Sequence, residues 1–225
     1  MASSEWRVAV GEHQTSVAWD HATAAGTGTV FVCAHGAGGH MSDRSMLQLS
    51  GELLSRGLDV VRFDFLYRAL GSKRPDPMPR LRDCFAAVVD SVRQRLNPRT
   101  LLIGGRSMGG RAASMMAADG FACDGLLLFA YPLHPAGRPD QLRSAHLSSI
   151  RCPVLCFNGT RDALCREDLM RQAVAAAGSI WTMHWLPGAD HSFHVLKSSG
   201  TTDAAILAEV GRTTEGWLTH LRSHA

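Results

Sequence analysis

From residue 29 onward the chain alternates two hydrophobic patterns. Short, mainly apolar strand-like runs occupy Thr29–Ala34, Asp59–Phe63 and residues 99–103, 125–131, 153–157 and 180–186. Such runs are the pattern of strands covered on both faces. Between them, apolar positions recur every three or four residues, as on one face of a helix. Leu81, Phe85, Val88, Val89, Val92 and Leu96 show this spacing clearly. Helices are predicted from a cap at Ser42 or Asp43 to Gly57, and over residues 81–96, 111–119, 166–177 and 204–221. Residues 6–10 and 16–19 read as two further strands, joined by a turn around Gly11-Glu12-His13. That turn is too tight for parallel pairing, so an antiparallel margin is predicted. Residues 67–80, with Gly71, Pro75, Pro77 and Pro79, read as a loop. Residues 132–149 read as a connection with one helical turn near 140–147.

Strands alternating with helices predict an α/β fold, a mostly parallel sheet of about eight strands with helices on both faces and right-handed crossovers. No internal repeat or linker interrupts the 225 residues, so one domain over residues 1–225 is expected. A net charge of +3 without a long basic run does not suggest a nucleic-acid partner. No apolar stretch approaches the ~20 residues of a membrane span. The start, Met1-Ala2-Ser3-Ser4-Glu5-Trp6, lacks the basic and apolar segments of an export signal, so a cytoplasmic setting is expected. The six cysteines form no C-x-x-C pair and are expected to be reduced, four of them as small core residues. Cys152 and Cys156 fall on one side of one strand, but roughly 13 Å apart, too far for a bridge.

Candidate chemistry collects where the strands end. The run 99–103 leads into Gly105-Arg106-Ser107-Met108-Gly109, a G-x-S-x-G sequence followed by a small-residue helix. This is the arrangement of a strand-to-helix elbow that presents a nucleophilic serine, its flanking glycines admitting close packing. In open parallel sheets functional groups gather at the carboxyl ends of strands. Asp162 follows the 153–157 run and His191 follows the 180–186 run. Serine, acid and histidine thus occur in the order that acyl transfer on such a sheet requires: Ser107 as nucleophile, His191 as base, Asp162 as its orienting acid. Adjacent side chains rarely face each other, so Asp190 is a poor alternative. An oxyanion needs preorganised N–H donors. Met108, just after the serine, supplies one, and the loop His35-Gly36-Ala37-Gly38-Gly39 supplies the other, from Ala37 or alternatively Gly38.

On these motifs, together with Gly188-Ala189-Asp190-His191-Ser192-Phe193, nearly the whole chain resembles an α/β-hydrolase of the small kind without an inserted lid. Within that superfamily the basic residue before the serine, the Met-Gly-Gly-Arg after it and Arg62-Phe63-Asp64-Phe65 most resemble the testis-expressed hydrolase-like proteins and the hydrolase-like subunit of the NSL chromatin complex. Dienelactone hydrolases look more distant, since they carry cysteine where this chain has Ser107. The resemblance implies the fold and the Ser107, His191 and Asp162 triad of a serine hydrolase. A carboxylic ester, thioester or related acyl substrate is expected, with no cofactor or metal, and the short 132–149 connection predicts an open cleft and a small or solvent-accessible substrate. It also admits a catalytically silent scaffold that binds protein partners.

Other chemistries fit less well. Arg111-Ala112 stand where a phosphate loop needs Lys and a hydroxyl, and G-x-G-x-x-G is not present there. His184, His191 and His194 lack the spacing of a metal helix. The basic residues Arg62, Arg68, Lys73, Arg74, Arg80, Arg82 and Arg106 suit an anionic ester. The plainer reading, which we favour, is a solvated loop plus a buried ion pair for Arg106.

Overall fold

The computed structural model describes residues 3–22, 28–175 and 177–223. Its strands are β1 (Ser3–Val10), β2 (His13–Asp20), β3 (Thr29–Ala34), β4 (Asp59–Phe63), β5 (Thr100–Arg106), β6 (Gly125–Phe129), β7 (Val154–Gly159) and β8 (Trp181–Leu186). They form one sheet in the order β1-β2-β4-β3-β5-β6-β7-β8. β1 pairs antiparallel with β2, and β2 antiparallel with β4; every other neighbouring pair is parallel. The helices are α1 (Arg44–Ser55), α2 (Leu66–Ala69), α3 (Met78–Leu96), α4 (Met108–Ala118), α5 (Glu167–Ala175) and α6 (Asp203–Ser223).

The continuous apolar strands have the physical cause the pattern implied. Alternate side chains of a strand point to opposite faces, and here both faces are covered. On one face Ile103, Leu126 and Leu128 pack with Phe85 and Val88 of α3 and with Ala112 and Met116 of α4. On the other, Leu102, Leu127 and Phe129 pack with Leu49 and Leu53 of α1 and with Val210 and Leu218 of α6. Moving one residue along a strand therefore changes cores, and the buried polar residues of the central strands, such as Arg62 and Asn158, are hydrogen-bonded.

The structure departs from the sequence reading at segment ends. Part of the 67–80 loop is helical: α2 lies at its start, and α3 begins at Met78, with Pro79 in its first turn. A proline costs nothing there, because the first N–H groups of a helix have no intrahelical acceptor. The helical turn anticipated near 140–147 is instead a 3-10 turn at Leu147–Ser149. It is the only helical turn between β6 and β7, and no domain is inserted there.

Cys33, Cys84, Cys156 and Cys165 are buried. Cys123 and Cys152, 29 residues apart, bring their Sγ atoms within 3.7 Å of each other as free thiols. Sequence spacing concealed that neighbourhood, which arises where the chain enters the adjacent strands β6 and β7. Among the described residues no helix is long and apolar enough to cross a membrane.

Candidate active site

β5 ends at Arg106 and α4 starts at Met108, so the chain reverses direction on Ser107 alone. Its backbone is held at φ 48, ψ −115, a conformation that L-residues avoid. Ser107 N–H donates to the Phe129 carbonyl at 2.9 Å, and the Ser107 carbonyl accepts from Arg111 N–H at 2.9 Å. The flanking glycines are a packing requirement. A Cβ at Gly105, where φ is +139, would lie 2.1 Å from the Ala34 carbonyl oxygen; one at Gly109 would lie 2.6 Å from the same oxygen. The end of β3 thus presses on the elbow from both sides of the serine.

Asp162 and His191 arrive on the loops after β7 and β8. These loops touch backbone to backbone, since a Cβ at Gly159 would meet the Ala189 carbonyl oxygen at 2.1 Å. The structure brings all three side chains into one chain of contacts. His191 Nε2 lies 2.9 Å from Ser107 Oγ, and His191 Nδ1 lies 2.8 Å from Asp162 Oδ2. The Asp162 side chain is fully buried. It also accepts from Leu164 N–H at 2.8 Å and from Asn158 Nδ2 at 3.2 Å. A carboxylate on Nδ1 fixes the proton there and leaves Nε2 free to accept one from the hydroxyl. Asp190, the alternative acid, instead accepts the N–H groups of Ser192 and His194 within its own turn.

Two supporting residues had escaped or half escaped the sequence reading. Asn158 is fully buried and clamps Tyr131 at both its N–H and carbonyl while donating to Asp162. Its signal was a lone amide ending an otherwise apolar strand. Arg106, expected in a buried ion pair, has no carboxylate within ion-pair distance among the described residues. Its guanidinium donates to the His191 carbonyl at 3.1 Å and lies 5.2 Å over the Phe193 ring. Burial shifts its pKa downward. Phe193 itself adopts φ 65, so the histidine loop is held in a strained turn against Arg106.

The glycine loop after β3 lies against the serine: a Cβ at Gly36 would be 3.5 Å from that of Ser107. His35 anchors the loop. Its Nδ1–H donates to the Gly36 carbonyl at 2.8 Å while Nε2 accepts Phe65 N–H at 3.1 Å, and burial pushes its pKa down. It is a neutral strut. Gly38 N–H is committed to the Tyr67 hydroxyl at 3.2 Å. The N–H groups of Ala37 and Met108 have no intramolecular acceptor among the described residues.

Three of the basic residues near the 67–80 segment are already paired with carboxylates. Arg62 makes a buried two-point contact with Asp20 at 2.6 and 2.9 Å; Arg80 pairs with Asp76 and Arg82 with Asp119. His184 and His194 each face a carboxylate, Glu209 and Asp203, rather than His191. No group of three or more His, Cys, Asp or Glu suited to a metal occurs among the described residues. Burial pushes the thiols of Cys33 and Cys84 up to about 12, so neither is a competing nucleophile.

A mostly parallel eight-stranded sheet carrying a serine on a strained turn, with histidine and aspartate on later loops, defines an α/β-hydrolase. The chain belongs to the alpha/beta hydrolase domain family, whose profile matches residues 27–219. Among solved structures it is similar to an alpha-beta serine hydrolase homologue from Coxiella burnetii, at 19% identity and TM-score 0.74, covering 95% of this chain and 96% of that one. It is similar to a serine hydrolase without lid from Xanthomonas campestris, at 20% identity and TM-score 0.73, covering 96% and 94%. A dienelactone hydrolase from Anabaena variabilis matches at 20% identity and TM-score 0.74, covering 97% of each chain. At these identities the likeness is one of fold.

Proposed function

We propose that the chain, as a single α/β-hydrolase domain, is a serine hydrolase that cleaves a carboxylic ester, thioester or related acyl bond. The observation that carries this reading is the Ser107–His191–Asp162 array, with contacts of 2.9 and 2.8 Å. Ser107 Oγ attacks the acyl carbonyl as His191 Nε2 takes its proton. The Ala37 and Met108 N–H groups hold the oxyanion; the Gly38 bond to Tyr67 favours Ala37 as the loop's donor. His191 then returns the proton to the leaving group, and water repeats the sequence on the acyl-enzyme. Asp162 keeps the imidazole in the working tautomer and stabilises its cation.

The short β6–β7 connection supports an open cleft, a small or solvent-accessible acyl substrate and a carboxylesterase-like reaction. A cytoplasmic setting is part of this reading, supported by six unbridged thiols. The motifs around Ser107 and Arg62 support kinship with the testis-expressed and NSL-complex group. A fluorophosphonate probe tests the mechanism: the wild type should label and Ser107→Ala should not. Equal labelling, or none in the wild type, would sink it and leave a protein-binding scaffold as the reading.

A further inference from the structure

Two arginines on the segments that follow Ser107 and β6 stand without counter-ions among the described residues. Arg111 lies one turn into α4 from the serine, its N–H bonded to the Ser107 carbonyl. Helical side chains lean towards the helix N-terminus, which in α4 is the end that Ser107 opens. Arg143 belongs to the β6–β7 connection. Its N–H donates to the Leu133 carbonyl at 2.7 Å, and its carbonyl accepts the Tyr131 hydroxyl at 3.0 Å. Tyr131 follows β6 two residues beyond Phe129, the residue whose carbonyl holds Ser107 N–H.

The two arginines are tied through one buried cluster. Ser114 donates to the Arg111 carbonyl at 2.8 Å and Tyr131 donates to that of Arg143, so both hydroxyl protons are committed. His146 Nε2, 2.8 Å from Ser114 Oγ and 3.4 Å from Tyr131 OH, must therefore be the donor. Burial and the Arg111 charge keep His146 neutral near pH 7, its pKa lowered to about 4. Neither Arg111 nor Arg143 has an ion pair or a side-chain hydrogen bond among the described residues. Arg111 Nε is out of reach of water and still without a partner. Asp119, a nearby carboxylate, is taken by Arg82. Burial and the Arg111 charge both push the pKa of Arg143 down, which places the two cations in each other's field.

Like charges held together, partly dehydrated and unneutralised, cost free energy that an incoming anion would recover. We infer that Arg111 and Arg143 form a subsite for an oxyanion group, carboxylate or phosphate, carried by the acyl substrate. Guanidinium groups suit such a group because each offers paired N–H donors. This is a different site from the basic 67–80 loop, where Arg80 is paired with Asp76 and Arg68 donates to the Ser72 carbonyl. The inference rests on the hydrolase reading of Ser107.

The test compares the 4-nitrophenyl monoester of adipic acid with 4-nitrophenyl hexanoate, which has the same chain length and no charge. The wild type should favour the adipate ester in kcat/KM, and added salt should shrink that preference. Arg111→Met and Arg143→Met should each lower the ratio of the two kcat/KM values by about ten- to a hundredfold, the scale of one charge-assisted hydrogen-bonded contact. Arg143→Lys should recover part of it. A ratio near one in the wild type, or one that neither variant moves, overturns the subsite. Stronger competitive inhibition by free adipate marks a carboxylate, and by inorganic phosphate a phosphoryl group; inhibition by neither overturns it. If Ser107 proves unreactive towards fluorophosphonate, calorimetry of adipate and phosphate on Ser107→Ala still decides. Binding of either that is lost on adding Arg143→Met supports the cation pair; binding that is unchanged, or undetectable in both proteins, refutes it.

Discussion

Replacing Asp162 by asparagine removes one charge from the heart of the site while nearly preserving shape. At the observed 2.8 Å between Asp162 Oδ2 and His191 Nδ1, an effective dielectric constant of about 20 puts the attraction between carboxylate and imidazolium at about 6 kcal/mol. In the proposed mechanism the imidazolium forms as Ser107 attacks, so nearly all of this attraction belongs to the transition state. At 1.36 kcal/mol per decade, the loss corresponds to about 10⁴ in kcat. The amide also has no comfortable orientation. With its NH2 in place of Oδ2 it faces Asn158 Nδ2 and turns His191 to the wrong tautomer. With its NH2 in place of Oδ1 it faces Leu164 N–H. Asn158 cannot turn to relieve the first clash without giving up both bonds to Tyr131. The assay is steady-state hydrolysis of a 4-nitrophenyl ester together with the rate of fluorophosphonate inactivation, with circular dichroism showing a folded variant. Wild-type kcat retained to within tenfold would refute the assignment of Asp162 as the acid behind His191.

Three further outcomes are expected. Arg106→Met should lower kcat by roughly ten- to a hundredfold with little change in KM, because a charge-assisted bond of about 1.5–3 kcal/mol and a stacking contact that hold the His191 loop are lost; an unchanged kcat would show that the loop holds itself. Gly105→Ala should destabilise by more than about 4 kcal/mol, read by urea unfolding or by failure to accumulate, since its methyl would meet Ala34 backbone at an unfavourable φ; a stable variant would contradict the close approach. His146 takes up a proton in the unfolded chain near the ordinary value of about 6.5 but in the folded protein only near about 4. Stability should therefore fall as pH drops through that window, and His146→Asn should fall less steeply over the same range in thermal melts; identical slopes would exclude His146 as a source.

Much of the fold was legible because burial on both faces leaves strands such as Thr29–Ala34 no choice but apolar residues. The elbow was legible for a similar reason. Gly105 and Gly109 are dictated by the backbone of Ala34, so packing wrote a spacing that can be read without coordinates. Segment ends were less legible. Met78-Pro79 opens α3, although proline also marks loops, because a first helical turn and a loop equally dispense with the N–H. The 140–147 stretch carries no periodicity strong enough to distinguish a bend from a turn of helix.

Residue types and their order along the chain determined by themselves that a serine, an acid and a histidine would follow, in that order, strands of a mostly parallel sheet. Which polar groups are already satisfied was decided only in three dimensions. Arg62 and Arg82 look alike in sequence to Arg111 and Arg143, yet among the described residues the first two have carboxylates and the last two do not. Arg106 was expected to find an acid and instead holds the His191 carbonyl. Gly38 and Ala37 are equivalent as loop donors until Tyr67, 29 residues away from Gly38, takes one of them. The physical reason is common to all three cases. A hydrogen bond or ion pair depends on distances of about 3 Å between groups far apart in the chain, and only the packed sheet sets those distances.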